Sequence, residues 1–560
     1  MRKFKLMLLL CTITGFISSL ALVITPYFLG KAIDSMVGYQ NVDIEQVFKM
    51  LVFAATAYSV NFILGWITNR IANRISVNFV SSLRNEMMLK LTTLPISFMD
   101  SKAHGDIQNL FVMDSELVID GLYLFLTQLL GGVFVVLIAT VYMLNINVLM
   151  SLVVFVMVPV VYFTSKTISR KSLVYFTRQQ ELAGQLSGKT AEYVDNYHLL
   201  LSSNYSEKAI QEFKEINEAL NTVGEKAQFM SALTNPTTRV MNNISYVLLG
   251  LTGAYGVLNG NLSIGLMTSF LSYSMMFSKP FNEFSAIISQ VIAAKASYTR
   301  IQSLLKNPDE RNSAVQKKLA GETITFNEIS FSYDGVHPVI EGLNLEIDPL
   351  SKVAIVGPTG AGKSTLLNLL MRYYDVDKGS IRIDNIDIDD ISRSSVRQTM
   401  SIVLQDPWLF EGTIRDNIAY GNPSASEDQI IEAAKQAGCH RYISSLDHGY
   451  DSWVELGSKN MSLGQKQLIT IARALLVDSP IIILDEATSS VDVVTERHIQ
   501  TIFTKIMRSH TTFFVAHRLS TVTDSDVILV MKAGKLVEQG KHEDLMNQKG
   551  FYYELFTSQY

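Results

Sequence analysis

The chain is 560 residues long, 48% hydrophobic and only 18% charged, with a mean hydropathy of +0.21. That average is too apolar for a wholly water-soluble protein, and the length allows several domains, so a membrane part joined to a soluble part is expected. A net charge of −5 with no dominant basic arm excludes a nucleic-acid footprint, and the two distant cysteines, Cys11 and Cys439, form no disulfide or metal-ligand pattern.

Arg2, Lys3 and Lys5 precede a long apolar run, and Cys11 follows three leucines as in a lipoprotein cleavage site. Leu10 is not the small residue such a site needs, and the run continues well beyond it, so a retained first span is expected. Six apolar segments reach the roughly 20 residues that a bilayer crossing requires. They run from Leu6 to Leu29, Val47 to Ile71, Leu122 to Leu144, Val148 to Ser165, Leu233 to Leu258 and Ile264 to Val291.

The short connections at 145–147 and 259–263 carry no basic residue. The long ones after spans two and four hold Arg74, Arg84, Lys90, Lys102, Lys166, Arg170, Lys171 and Arg178. An excess of Lys and Arg marks the cytoplasmic side, so these connections, the N-terminus and the C-terminal half are expected there. Both keep a helical period, over Val80 to Leu94 and Leu182 to Phe213, and are expected to turn back near 98–114 and 193–198. Two long hairpins touching nothing would be hard to stabilise in water, so both turns are expected to contact the soluble part.

On spans five and six, Arg239, Asn242, Asn243, Tyr246, Tyr273, Phe277, Lys279 and Glu283 stand where they would face a central cavity. Helix packing and an i to i+4 pair of Lys279 with Glu283 account for them equally well. Pro26, Pro159 and Pro280 are expected to mark bends.

AKASYTRIQSLL closes the last helix and 307–312 breaks it, giving a membrane domain over 1–305, a linker over 306–318 and a soluble domain over 319–560. In the soluble domain short strand-like runs alternate with helical ones, an α/β pattern. VAIVGPTGAGKST places a buried strand before Gly357, Pro358, Thr359, Gly360, Ala361, Gly362, Lys363, Ser364 and Thr365, with a helix after them. Glycines at these places let successive N–H groups point at phosphate oxygens, Lys363 reaches the β and γ phosphates, and the Ser364 hydroxyl ligates Mg2+. A second apolar strand, Ile481 to Leu484, ends in Asp485 and Glu486, fit for holding Mg2+ through water and for polarising an attacking water.

In their order these elements resemble the nucleotide-binding domain of ATP-binding cassette (ABC) transporters. The resemblance implies that Tyr333 in ISFSYDG stacks on adenine and that Gln405 in VLQDPWLF senses Mg2+ and water. It places Met461 to Gln465 at the family's LSGGQ signature, with Ser462, Gly464 and Gln465 retained and Leu463 in place of a glycine. Ser490, Val491 and Asp492 match the D-loop, and His517 in FFVAHRLST matches the switch histidine near the γ phosphate. Glu486, His517 and Gln405 are thus the expected catalytic residues, ATP and Mg2+ the cofactors, and Ser364, Gln405 and Asp485 the metal's neighbours.

The first half resembles the six-helix membrane domain of ABC exporters, with LPISFMD, HGD and MDSELV at the first coupling segment. The implied fold is an all-α transmembrane domain with long cytoplasmic helical extensions, followed by an α/β P-loop ATPase, in a multi-pass protein of the cytoplasmic membrane. The implied function is ATP-driven efflux of hydrophobic or amphiphilic, drug- or lipid-like molecules; peptide export, lipid flipping and import on the same fold remain open. The amphipathic helix that usually precedes span one has almost no room before Leu6, so either that helix is expected to be missing or the start to be shortened. Leu463 adds bulk and restricts φ where the family brings backbone against the opposite nucleotide. Such chains work in pairs, and an intact phosphate loop beside a blunted signature resembles one member of a heterodimeric bacterial exporter, its partner carrying LSGGQ without the catalytic glutamate; a homodimer that tolerates Leu463 is the alternative.

Overall fold

The computed structural model of the protein describes residues 4–37, 42–458, 460–485, 493–515 and 522–558. Two compact units emerge, one of Met1–Thr92 with Gly105–Asn307 and one of Thr93–His104 with Pro308–Tyr560.

The first unit is helical because a backbone in lipid must bond to itself. Its helices are α1 (Lys5–Asp34) and α2 (Ile44–Leu91). A short helix in the second unit, α3 (Ile96–Asp100), interrupts them before α4 (His104–Asn109), α5 (Ser115–Leu124), α6 (Leu130–Ile146) and α7 (Val148–Asp195). Then come α8 (Tyr197–Ser202), α9 (Ser206–Ala232), α10 (Thr234–Leu258) and α11 (Ile264–Leu305). Single π-helical turns at Leu110–Asp114 and Phe125–Leu129 join α4 to α5 and α5 to α6. Side-chain caps start three of the long helices: Asp43 accepts from Gln46 N–H, Asn147 from Met150 N–H and Ser263 from Leu266 N–H.

At 1.5 Å per residue α2 and α7 are each about 72 Å long, far beyond a hydrocarbon core of about 30 Å. Every expected span lies on a helix. Among the described residues four helices, α1, α2, the continuous run His104–Ile146 and α7, are long and apolar enough to cross a membrane. The expected fifth and sixth spans fall on α10 and α11, where Asn242 and Asn243, and Lys279 and Glu283, lower the mean hydropathy.

Val23, Met143, Met150, Leu249, Phe270 and Tyr273 form the core of this unit. Tyr273 and Phe277 are buried in this core, so of the two accounts left open by the sequence, packing and not a cavity wall is the one they follow. Where α1 meets α11, a Cβ on Gly265 would lie 1.9 Å from the Gly30 carbonyl oxygen, so only glycine allows the approach. Beside it the Asp34 carboxylate accepts from Ser263 Oγ at 2.6 Å and Gly265 N–H at 2.7 Å. Lower down, Asp114 pairs in bidentate fashion with Arg300 on α11, which holds its carboxyl below the usual range. The second hairpin turns at Asn196 between α7 and α8, as the sequence predicts, and is closed by the Tyr193 and Tyr205 hydroxyls, which both donate to Glu212 at 2.7 and 2.8 Å.

In the second unit the strands and helices follow as β1 (Ile324–Ser332), β2 (Pro338–Ile347), β3 (Lys352–Val356), α12 (Lys363–Leu370), β4 (Lys378–Ile383), β5 (Ile386–Asp387), α13 (Arg393–Gln398) and β6 (Met400–Val403). After them come β7 (Gly412–Thr413), α14 (Ile414–Ala419), α15 (Glu427–Gln436), α16 (His440–Ser444), β8 (Trp453–Val454) and α17 (Leu463–Leu476). The chain closes with β9 (Ile481–Asp485), α18 (Val493–Ile506), β10 (Thr511–Val515), β11 (Val527–Lys532), β12 (Lys535–Gly540) and two further helices, His542–Gln548 and Phe551–Ser558.

Among the described residues, β12-β11-β3-β10-β9-β6 form one sheet, parallel except for β12, and β2-β1-β4-β5 form an antiparallel one. β3, buried and apolar from Val353 to Val356, and β10, buried along its whole length, sit inside the first sheet, as strands covered on both faces do. The expected linker is pinned to this unit, Asn312 accepting from Arg393 N–H at 2.8 Å and Lys317 N–H donating to Ser395 at 3.1 Å.

Candidate functional site

Ligands of an open α/β sheet bind beyond the carboxyl ends of its parallel strands. Register places Val515 of β10 opposite both Ile355 of β3 and Asp485 of β9, while Val403 of β6 pairs with Leu484. The loop after β3, Asp485 at the end of β9 and Gln405 just past β6 therefore share one sheet edge.

From β3 the chain enters the loop at Gly357 with φ +151°, where a Cβ would lie 2.2 Å from the Met531 carbonyl oxygen. Pro358, Thr359 and Gly360 form its exposed crest, Ala361 and Gly362 are buried, and Gly362 at φ +99° precedes the first turn of α12. Lys363 is only 8% exposed, and its ammonium donates to the carbonyls of Gly357 at 2.8 Å and Pro358 at 3.0 Å. The cation thus stands across the mouth of the loop, held by carbonyl dipoles that a phosphate's oxygens would outcompete. Ser364 is exposed while Thr365 is buried.

Tyr333, 49% exposed, donates its hydroxyl to Thr365 Oγ1 at 3.1 Å, which ties the aromatic loop to the phosphate loop. Its ring meets Tyr374 edge to face at 5.0 Å, and the Tyr374 hydroxyl donates to Asp100 of α3. The turn after Tyr333 is closed by Asp334, which accepts from Val336 N–H at 2.9 Å, His337 N–H at 2.7 Å and the His337 ring at 2.6 Å. Asp100 and Asp334 stand in LPISFMD and ISFSYDG without either motif giving them a role, and sequence reasoning missed Tyr374; the aromatic pair Tyr373-Tyr374 shortly after the phosphate-loop helix was the available signal.

The signature residues start α17. Ser462 is its N-cap, accepting from Gln465 N–H at 3.3 Å, while the Gln465 side chain accepts from Ser462 N–H at 2.8 Å. Leu463 is the first helical residue, 36% exposed, and Gly464 is buried. The expected φ penalty at Leu463 is corrected: the backbone there is right-handed helix, open to any residue, so what leucine changes is bulk at the helix N-terminus. An N-terminus of this kind attracts anions. Glu486, Ser490, Val491, Asp492 and His517 lie outside the described residues.

Hard oxygen donors suit Mg2+, which commonly takes one or two carboxylates plus phosphate oxygens. Ser364, Asp485 and Gln405 offer a hydroxyl, a carboxylate and an amide oxygen near the loop. No group of three His, Cys, Asp or Glu able to hold a metal gathers among the described residues.

The membrane unit holds a second candidate site. Asn242, Asn243 and Tyr246 of α10 and Ser278, Lys279 and Glu283 of α11 line a cleft of about 460 Å³. Arg239 does not line it. Among the described residues no ion pair joins Lys279 to Glu283, so the expected helix-face pair does not form.

The family model for the ABC transporter transmembrane region matches residues 8–281 and the ABC transporter family model matches residues 340–489. The ABC transporter ATP-binding protein YfiC of Bacillus subtilis (strain 168) is 35% identical over 559 residues, covering 99% of this chain and 92% of that protein. This chain belongs to the ABC transporter family. Also similar is the fatty acid ABC transporter ATP-binding/permease protein of Mycobacterium bovis, 35% identical over 92% of this chain and 82% of its own length. The ATP-dependent lipid A-core flippase of Syntrophus aciditrophicus is 33% identical over 87% and 81%. A bacterial Atm1-family ABC exporter solved with ATP bound superposes with a TM-score of 0.80 at 28% identity, covering 100% of this chain and 98% of that one. As an ABC exporter half the chain is a multi-pass membrane protein that binds ATP, couples its hydrolysis to transport and functions as part of a dimer.

Proposed function

We propose that this chain is the hydrolysing half of a heterodimeric exporter of amphiphilic, lipid- or drug-like molecules. The observation that carries the pairing is Leu463, an exposed leucine at the first position of α17, where an ABC dimer brings a helix N-terminus against the opposite nucleotide. Its side chain keeps the Leu463 and Gly464 N–H groups from close approach to that phosphate. The deficit falls on the partner's site. This chain's own site keeps the whole phosphate loop, Asp485 and Glu486.

ATP would bind with its adenine against Tyr333 and its phosphates in the loop, where Lys363 leaves the Gly357 and Pro358 carbonyls for phosphate oxygens. Ser364, Asp485 and Gln405 are the residues that would hold Mg2+, which when bound would supply neutralisation of the charge developing on the phosphates. Glu486 polarises the attacking water and His517 stands by the γ phosphate. Closure over ATP favours the outward-open state, a population shift that hydrolysis reverses. On α8, Tyr197, Leu199 and Leu201 are exposed and no residue is buried, which fits a turn that docks on the partner chain. The relatives named for fatty acid transport and for lipid A-core flipping support an amphiphilic cargo.

The chain purified alone should show little cooperative ATPase, and Leu463→Gly should raise that activity at least about tenfold, a barrier change of about 1.4 kcal/mol. Substantial cooperative hydrolysis by the unaltered chain alone overturns the heterodimer. Glu486→Gln should keep nucleotide binding and lose most turnover.

A further inference from the structure

The cleft between α10 and α11 carries an inference about cargo that rests on the export reading. By loop charges α11 starts at the outer face, so Lys279 lies about 22 Å and Glu283 about 28 Å along it, toward the inner side of a core about 30 Å thick. Both are exposed, both line the cleft, and neither closes on the other. Charges at that depth are expensive unless they face a partner or a watered cavity. Here the other polar groups lining the cleft are neutral: the Asn242 and Asn243 amides and the hydroxyls of Tyr246, Ser245, Ser274 and Ser278.

Asn243 also borders a second cleft of about 420 Å³ whose other walls, Val240, Ile244, Val247 and Leu248, are apolar. A polar compartment with one cation and one anion, a helical turn or about 6 Å apart, thus adjoins a compartment fit for hydrocarbon.

We propose that the cleft selects a zwitterionic amphiphile, its anionic group set against Lys279, its amine against Glu283 and its alkyl tail along the apolar face of α10. A simple carboxylate amphiphile would satisfy Lys279 and leave Glu283 desolvated without a counter-charge; an alkylamine would do the reverse. Removing water from an uncompensated charge costs several kcal/mol. A head bearing both charges avoids both costs.

The test measures dissociation constants for the purified full-length chain in an uncharged detergent, using myristoyl lysophosphatidylethanolamine, myristate, tetradecylamine and tail-less phosphoethanolamine. The zwitterionic lipid should bind at least about tenfold more tightly than any other probe, about 1.4 kcal/mol. Lys279→Gln should weaken the zwitterion and myristate while sparing tetradecylamine, and Glu283→Gln should weaken the zwitterion and tetradecylamine while sparing myristate. Myristate or tetradecylamine binding as tightly as the zwitterion to the unaltered chain overturns the proposal and leaves the export reading standing. Equal binding of phosphoethanolamine overturns the role of the tail. Binding of no probe overturns the cleft as a cargo site altogether.

Discussion

The hydroxyl of Tyr374 donates to the carboxylate of Asp100, so a residue just past the phosphate-loop helix holds the short helix α3 that precedes the third span in sequence. The same tyrosine ring abuts Tyr333 at 5.0 Å, and Tyr333 reaches Thr365 at 3.1 Å. If nucleotide stacks on Tyr333 as proposed, it would bear on a side chain whose other end holds α3.

Tyr374→Phe keeps the ring and removes the bond. With one exposed, charged partner the bond is worth about 1 kcal/mol, so transport per ATP should fall about fivefold while basal hydrolysis stays within about twofold. Asp100→Asn added to Tyr374→Phe should do little more, because both changes remove one interaction. Vesicle transport measured beside ATPase tests this: equal losses of transport and hydrolysis, or additive losses in the double variant, would count against a coupling role.

Gly357→Ala tests the loop's geometry. At φ +151° a Cβ would stand 2.2 Å from the Met531 carbonyl oxygen, so the loop or β11 must move. Nucleotide affinity, followed with a fluorescent ATP analogue, should fall at least about tenfold, with a stability loss of about 2 kcal/mol or more. Gly360→Ala is the contrast. No atom lies within 4 Å of a Cβ there, so only the cost of a left-handed residue at φ +79°, about 1 to 2 kcal/mol, should appear. Equal damage from both would mean that steric fit at Gly357 is not what shapes the loop.

A pH dependence follows from the turn beneath Tyr333. The His337 ring, then the backbone N–H groups of His337 and Val336, hold the Asp334 carboxyl well below the usual carboxylate range; Asp334 in turn raises His337. The histidine's contribution is complete below its unfolded value of about 6.5 and is lost as pH rises through the raised folded value. The carboxylate's is present above about 3.9 and is lost only as pH falls through its depressed value. The turn is therefore best ordered between those limits and loosens on the alkaline side. Both groups are exposed, so the apparent KM for ATP should rise by no more than about twofold between pH 6.5 and 8.5. His337→Gln should flatten that rise; an unchanged profile would sever the turn from nucleotide binding.

Local chemistry made much of this legible in the sequence. A glycine-spaced loop between a buried strand and a helix has few other uses, and α7 ends at Asp195 where YVDNYH predicts a turn. Tyr273 and Phe277 stayed undecided between packing and a cavity wall because an aromatic on a membrane helix carries the same letter in either place. Lys279 and Glu283, four apart on one helix, satisfy a spacing rule that their side chains do not obey. At Leu463 the family's glycine suggested a strained backbone, yet the serine before it starts an ordinary capped helix. That the turn holding Asp100 meets the soluble part was expected, but its partner was out of reach, because 274 positions separate Asp100 from Tyr374 and Tyr374 sits in no recurring pattern.

Thr93 and α3 belong to the ATPase unit, Thr93 O accepting from Glu310 N–H at 2.8 Å and Thr93 Oγ1 donating to Asp309 at 2.6 Å. This gives the two halves an order of birth. The ribosome delivers the hairpin with the membrane helices, long before the first strand of the ATPase exists, so the last-made half completes its fold against a ready template. A chain severed after Asn307 would have to fold that surface with nothing to fold onto.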